Sequence, residues 1–323
     1  MQIMVRLWAV FISVSIVAAQ NSNYPIPTLR PAGTFDINKN LRARSVTNAT
    51  TVHQFVAKQK HLYFVLSSGP TPESSTLVRT DLSGGIEQII PLGPDYIRNI
   101  DVDDKLNIFV LSSPPETGTV LAIYNPDGKR VDSQPAPPLS YKVLVVQDKV
   151  FILLSDGSAK LLRSPGSSVP FRTLDMDVGN LRCAVLPNYE LATTDGVEAD
   201  LQIASLDKGT VRIAPLTALE ISSVRTDYRQ TINNPLLKGV TVTGLAADEK
   251  GFLYFMLSGF KAGESMKILK ADTEGNTKAV LKVRLPPRLD GAGLMLPSEL
   301  VVAAGQVFVL DRSGTVALFS LEW

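Results

Sequence analysis

An eight-residue stretch, Gly251–Ser258 (GFLYFMLS), limits the fold more than anything else in the chain. In an extended strand successive side chains alternate, so Leu253, Phe255 and Leu257 share one face while Phe252, Tyr254 and Met256 share the other. Both faces are apolar, so both must be covered, as for a strand held between two layers. A helix is the competing reading of an apolar run. This one is about seven residues long, rich in aromatics and bracketed by Gly251 and Gly259, which favours strand. Downstream, Met266–Lys270 and Lys278–Val283 flank Asp272–Asn276, where Gly275 supplies the positive φ of a hairpin turn.

The same plan recurs at Leu62–Ser68, Ile108–Ser113, Val150–Gly157, Glu190–Gly196 and Val307–Gly314. With Leu66, Leu111, Leu154, Thr193, Leu257 and Leu310 taken as equivalent, the steps are 45, 43, 39, 64 and 53 residues. A short inner strand precedes each: Val52–Ala57, Ile97–Val102, Tyr141–Val146, Leu181–Leu186, Val242–Ala247 and Glu299–Ala303. Periods of roughly 40–50 residues with four strands apiece predict a six-bladed β-propeller, because one unit cannot bury two apolar faces alone. The sixth repeat ends after TVALFSLEW, one strand short. The segment Gly33–Val46, with Phe35 and Ile37 alternating, is expected to supply that strand and close the ring.

The first residues read as a signal peptide spanning 1–19: Arg6, an apolar core at Leu7–Val17, then Val17-Ala18-Ala19 as a cleavage site. Eleven apolar residues fall short of the roughly twenty needed to span a bilayer. Residues 20–33 read as a flexible lead-in and 34–323 as one propeller domain, secreted or periplasmic and monomeric. Lys plus Arg number 32 against 31 Asp plus Glu, and no charged tail is visible, which argues against a nucleic-acid or anionic-membrane surface as the main partner. Cys183 is the only cysteine, so no internal disulfide forms. In LRCAVL it reads as a small buried hydrophobe with Arg182 on the opposite face. Asn48-Ala49-Thr50 is a glycosylation sequon, relevant in a eukaryotic source.

Departures from the period mark the binding face. The long step contains Ala214–Gly239; Leu285–Pro297 is irregular; Pro-rich links occupy Pro91–Pro94 and Pro135–Pro138. All four join an outer strand to the next inner strand, on the rim shared with the loops after the apolar strands. Long loops on a rigid scaffold are where binding resides. Tyr96, Arg98, Tyr141, Arg225, Tyr228, Arg288 and Arg312 fall on this rim and are of the types enriched at interface hot spots.

In GLAADEKGFLYFMLSG with ILKADTEGNTKAVLKV, and in IRNIDVDDKLNIFVLSS with VLAIYNPDGKRV, the chain resembles the NHL-repeat and gluconolactonase-like six-bladed propellers. The likeness covers most of Val52–Trp323. It implies a ring-shaped binding face and leaves function open, since such propellers include lactonases, lyases and interaction scaffolds. In gluconolactonase-like enzymes a divalent metal sits at the channel mouth on Glu, Asn and Asp from separate blades. The resemblance makes Asn180, Glu299 and Asp311 the candidates here, for Ca or Zn.

Residues for other chemistry are scarce. Only His53 and His61 exist, eight apart in the first repeat, too few for the zinc sites of lyase relatives. Asp101-Val102-Asp103-Asp104 is the densest carboxylate cluster, yet Asp103-Asp104-Lys105 matches Asp248-Glu249-Lys250 and reads as a turn between strands. The expectation is an exported, non-catalytic binding scaffold for a protein, peptide or carbohydrate, with no catalytic residue and no cofactor. The alternative is a metal-dependent hydrolase or lactonase at the channel mouth.

Overall fold

The computed structural model describes residues 28–44, 51–67, 75–114, 118–147, 149–156, 158–161, 168–170, 182–187, 189–194, 200–206, 208, 210–215, 241–258, 266–287, 289, 295 and 297–321. Rim residues Arg225, Tyr228 and Arg288, with the metal candidate Asn180, the leader and Asn48, lie outside them.

The chain opens with β1 (Thr28–Leu29), β2 (Gly33–Asp36) and α1 (Ile37–Arg42). Blade 1 is β3 (Thr51–Lys58), β4 (His61–Ser67), β5 (Ser75–Asp81) and β6 (Ile86–Gly93). Blade 2 is β7 (Tyr96–Val102), β8 (Ile108–Ser113), β9 (Val120–Tyr124) and β10 (Arg130–Pro135). Blade 3 is β11 (Ser140–Val146), β12 (Lys149–Leu154), β13 (Ser158–Leu161) and β14 (Ser168–Pro170). Blade 4 is β15 (Arg182–Leu186), β16 (Glu190–Thr194), β17 (Asp200–Ser205) and β18 (Thr210–Pro215). Blade 5 is β19 (Thr241–Ala247), β20 (Leu253–Ser258), β21 (Met266–Ala271) and β22 (Thr277–Val283). Blade 6 is β23 (Pro297–Ala303), β24 (Gln306–Asp311), β25 (Thr315–Ser320) and, from the other end of the chain, β2. The protein is a six-bladed β-propeller, and each inner strand lies within two residues of its expected place.

The two-faced apolar strand does what its sequence requires. Leu253, Phe255 and Leu257 enter the core cluster shared with blade 4, while Tyr254 and Met256 enter the one shared with blade 6. Blade 1 divides likewise: Leu62, Phe64 and Leu66 pack with blade 6, Tyr63 and Val65 with blade 2. Six such clusters, one per blade interface, make up the core. Stability therefore rests on interfaces between copies rather than within them.

Closure follows the expected route. β2 pairs antiparallel with β25, Phe35 opposite Val316, and the Phe35 ring stands edge-on to Phe64 at 6.3 Å between centroids. Gly84 is required here: its φ is +87°, and a Cβ would lie 2.4 Å from the Phe35 ring. Two features differ from expectation. Residues 37–42 form a helix, capped by the Asp36 carboxylate, which accepts from the Lys39 N–H at 2.9 Å. Within the supposed lead-in, β1 adds in parallel to β22, Thr28 opposite Lys282, as a fifth strand of blade 5. It covers an edge that would otherwise stand open.

The acidic turns form a set. Asp81, Asp103, Asp248 and Asp272 each use Oδ1 to accept the N–H groups two and four residues on, at 2.7–3.0 Å. This is the role the sequence suggested for Asp103.

Candidate binding site at the mouth of the central channel

Each blade presents the free edge of its inner strand to the channel, which all six inner strands line and which encloses about 350 Å³. Five of the six strands are bulged near the mouth. Pairing with the second strand shifts register between Val52 and Gln54, Ile97 and Asn99, Ser140 and Lys142, Val242 and Gly244, and Pro297 and Glu299. His53, Arg98, Tyr141, Thr243 and Ser298 are the residues passed over. A bulge bends its strand and re-aims a side chain, and bulges concentrate beside functional sites. The side chains of His53 and Arg98 turn back to the hydroxyls of Ser67 and Ser113 at the ends of β4 and β8. β15 alone is unbulged, with Arg182 opposite Thr194 and Cys183 opposite Thr193.

The next residue of each strand builds a ring around the channel: Gln54, Asn99, Lys142, Cys183, Gly244 and Glu299. Free strand edges carry N–H and C=O groups that need partners. Ring side chains supply them between blades. Gln54 Nε2 donates to the Arg98 carbonyl at 3.1 Å, and Asn99 Nδ2 to Gln54 Oε1 at 3.0 Å. Asn99 Oδ1 accepts from the Val143 N–H at 3.1 Å, and Asp101 Oδ2 from the Val145 N–H at 2.6 Å. Glu299 accepts from the Phe55 N–H. Amides and carboxylates thus stitch blades 6, 1, 2 and 3 together.

Charge in the channel is perturbed by burial. Desolvation pushes Glu299 up to about 7 against the pull of Lys142, the Phe55 N–H, Arg182 and Arg312. Asp101 is pushed up to about 6 by the same cause, despite the Val145 and Val102 N–H groups and the Lys58 and Lys142 charges. Burial alone would lower Lys142, but its thiol neighbour Cys183 and the carboxylates of Glu299 and Asp101 raise it overall. Lys142 and Glu299 belong to blades 3 and 6, opposite one another in a ring of six. Arg182 is lowered, chiefly by burial. His53 is lowered by burial and then by the Arg312 charge, so its imidazole is neutral at neutral pH.

The structure places the described rim candidates at one end of the channel. Tyr96 is 57% exposed; Arg98 is exposed and donates to Ser113 Oγ; Arg312 is exposed and lines the channel. Tyr141 is different from the rim residue expected. It is half-buried against the cluster between blades 3 and 4, its hydroxyl has no hydrogen-bond partner, and burial raises its pKa. Of the metal candidates, Glu299 faces the channel, whereas Asp311 is buried and its Oδ1 accepts from the Ser313 N–H at 2.7 Å in the β24–β25 turn. The charges of Lys142, Arg182 and Arg312 all act on Glu299. Among the described residues no group of three His, Cys, Asp or Glu could hold a metal ion.

Sequence reasoning missed Gln54, Asn99 and Lys142, and named Asp101 and Arg182 without placing them in the channel. A signal existed: each is a polar residue interrupting or opening an apolar inner strand.

No family model matches the chain, and no curated protein matches it. Among solved structures it is similar to "YCF48 bound to D1 peptide", with TM-score 0.51 and 11% identity over 92% of this chain and 100% of that one. It is also similar to "Structure of U3-55K", with TM-score 0.56 and 8% identity over 91% and 100%. A third, "Crystal Structure of Mitotic Checkpoint Complex", gives TM-score 0.52 and 7% identity over 93% and 94%. At these identities the likeness is one of fold.

Proposed function

We propose that this chain is an exported binding scaffold, without catalysis or cofactor of its own, that recognises a protein or peptide at the mouth of its central channel. The observation that carries the reading is the contrast within the channel. Its carboxylates are tied to backbone N–H groups of neighbouring inner strands, while Tyr96, Arg98 and Arg312 stand exposed around the opening. Tyr and Arg supply large contact area and are enriched at interface hot spots, and a rigid ring holds their backbone in place. A fold-mate solved with a bound peptide, and another within a multiprotein complex, support a polypeptide partner over a carbohydrate. The NHL-like cadence of the repeats suits an interaction propeller, and the leader at 1–19 suits export.

The test is selection of dodecapeptides from a random library against the leader-free protein, with affinities remeasured on a Tyr96→Ala/Arg98→Ala variant. Binding weakened on the order of tenfold supports this face; unchanged affinity moves the interface elsewhere. The hydrolase reading predicts a rise in melting temperature with calcium or zinc that EDTA reverses.

A further inference from the structure

One residue of the rim is held in a conformation that its own side chain disfavours. Leu139 lies in the link from blade 2 to blade 3, immediately before β11, with φ at +65°. The Ser140 N–H donates to the Pro137 carbonyl at 3.3 Å, and Ser140 Oγ donates to the same oxygen at 2.5 Å. Pro138 and Leu139 are therefore the central pair of a β-turn. A turn with proline first and a positive φ second favours glycine or asparagine at the second place, because a branched or bulky side chain crowds the backbone there. The leucine is also 64% exposed, so burial within the protein offsets little of that strain. The turn is fixed by its surroundings: the Leu139 carbonyl accepts the Ser155 N–H at 3.0 Å, just past the end of β12. Strained residues held in this way cluster where a molecule is gripped.

Tyr96, the first residue of β7 and 57% exposed, stands at the same height on the neighbouring inner strand. Asn99, three residues on from Tyr96, accepts the N–H of Val143, four residues on from Leu139, at 3.1 Å, and this sets the two strands level. We propose that Leu139 and Tyr96 together seat one apolar side chain, aliphatic or aromatic, of a partner polypeptide. This rests on the reading of the mouth as a polypeptide site and adds the side chain that anchors the occupant. The two residues offer on the order of 200 Å² of contact, against roughly 800 Å² that each partner gives to a stable protein–protein interface. That area suits one anchor of a short segment and falls short of a docking face for a second copy of the chain or for a membrane surface.

The experiment selects dodecapeptides from a random library on the leader-free wild type and, in parallel, on Leu139→Gly and Leu139→Asn. Both replacements suit the positive φ and remove the apolar side chain, so melting temperatures should stay level or rise. Peptides selected on wild type should share one apolar position and bind each variant more weakly, on the order of tenfold. Replacing that peptide residue with Ala should cost a similar factor on wild type and little more on Leu139→Gly, as for two groups in contact. Peptides selected on the variants should lack the shared position. If wild-type peptides depend on Tyr96 and Arg98 yet bind both Leu139 variants as tightly, the anchor is wrong while the face stands. If they ignore all three residues, or none is recovered, both readings fall. A melting temperature lowered by several degrees in both variants would make Leu139 a structural member of its turn and overturn the inference.

Discussion

Two concavities of this propeller differ in size, and the larger is the less suited to a ligand. Between the inner-strand turns of blades 2 and 3 lies a cleft of about 810 Å³, floored by Phe109, Ile123, Val131 and Val150 and edged by Asp103 and Asp104. The channel encloses less than half that volume. In the cleft, however, the acids are already in use. Asp103 holds its own turn through two backbone N–H groups, and Asp104 pairs with Lys58 at 2.7 Å. Lys149 lies over the Tyr189 ring at 4.2 Å from its centroid. At the mouth the deep carboxylates are likewise committed to backbone N–H groups, while Tyr96 and Arg312 stand exposed around the opening. Size locates space, whereas exposed side chains of interface type on a rigid ring locate recognition.

If that division is right, damage at the turn end should cost stability and leave binding intact. The largest effect is expected from Asp248→Ala. Its carboxylate accepts the N–H groups of Lys250 and Phe252 and, through Oδ2, the hydroxyl of the buried Tyr254 at 2.9 Å. Losing the acceptor of a buried hydroxyl together with a turn should cost about 3 kcal/mol in urea unfolding. Affinity for mouth ligands should be unchanged; a parallel loss of affinity in the folded variant would break the separation between the two ends.

Next comes a pH effect that belongs to the channel. Glu299 has a folded-state pKa near 7, above its ordinary 4.5. Its contribution to stability is therefore fully present below about pH 4.5 and is lost as pH rises through 7. A shift of that size corresponds to about 3 kcal/mol as an upper limit. Asp101, raised to about 6, adds a loss of the same sign from pH 3.8 upward. Glu299→Gln keeps an acceptor for the Phe55 N–H without the buried charge. It should be the more stable form at pH 8 and lose its advantage at pH 4.5. Equal slopes of stability against pH in the two proteins would show that Glu299 does not titrate in this range.

The same contrast explains how much of the molecule was legible. The turn end could be read because its devices are local: Asp followed by turn residues and glycine between apolar runs states its own geometry. The alternation in Gly251–Ser258 named both interfaces of blade 5, and the missing strand after Thr315–Ser320 pointed to Phe35. The mouth could not be read in the same way. A bulge inserts one residue with no signature in the strand, so strict alternation assigns the wrong face beyond it. Alignment on the apolar runs equated Leu66 with Leu111, Thr193 and Leu310, whereas pairing with the inner strands matches Leu66 to Ser112, Thr194 and Asp311. Asp311 thereby looked free for a ligand when it belongs to a turn, and the Gln54–Glu299 ring stayed hidden. β1 escaped notice because two residues carry no periodicity.

A smaller effect tests the stitching of the ring. Asn99→Ala removes the acceptor of the buried Val143 N–H and the donor to Gln54. The expected cost is about 1–2 kcal/mol. Hydrogen exchange should rise first at Val143, and a rise confined to blade 2 would count against a bridge between blades. The smallest change in stability is expected from Arg312→Gln. An exposed arginine with one like-charged neighbour, Arg182, and one of opposite charge, Glu299, should contribute within about 0.5 kcal/mol. Its loss removes repulsion from Arg182 as well as attraction to Glu299, so the terms oppose. A melting temperature that stays within a degree or two while library-selected peptides lose affinity would set Arg312 apart as a residue kept for what it binds. A large fall in melting temperature would instead make it one more structural member of the ring, and the distinction between the two ends would close.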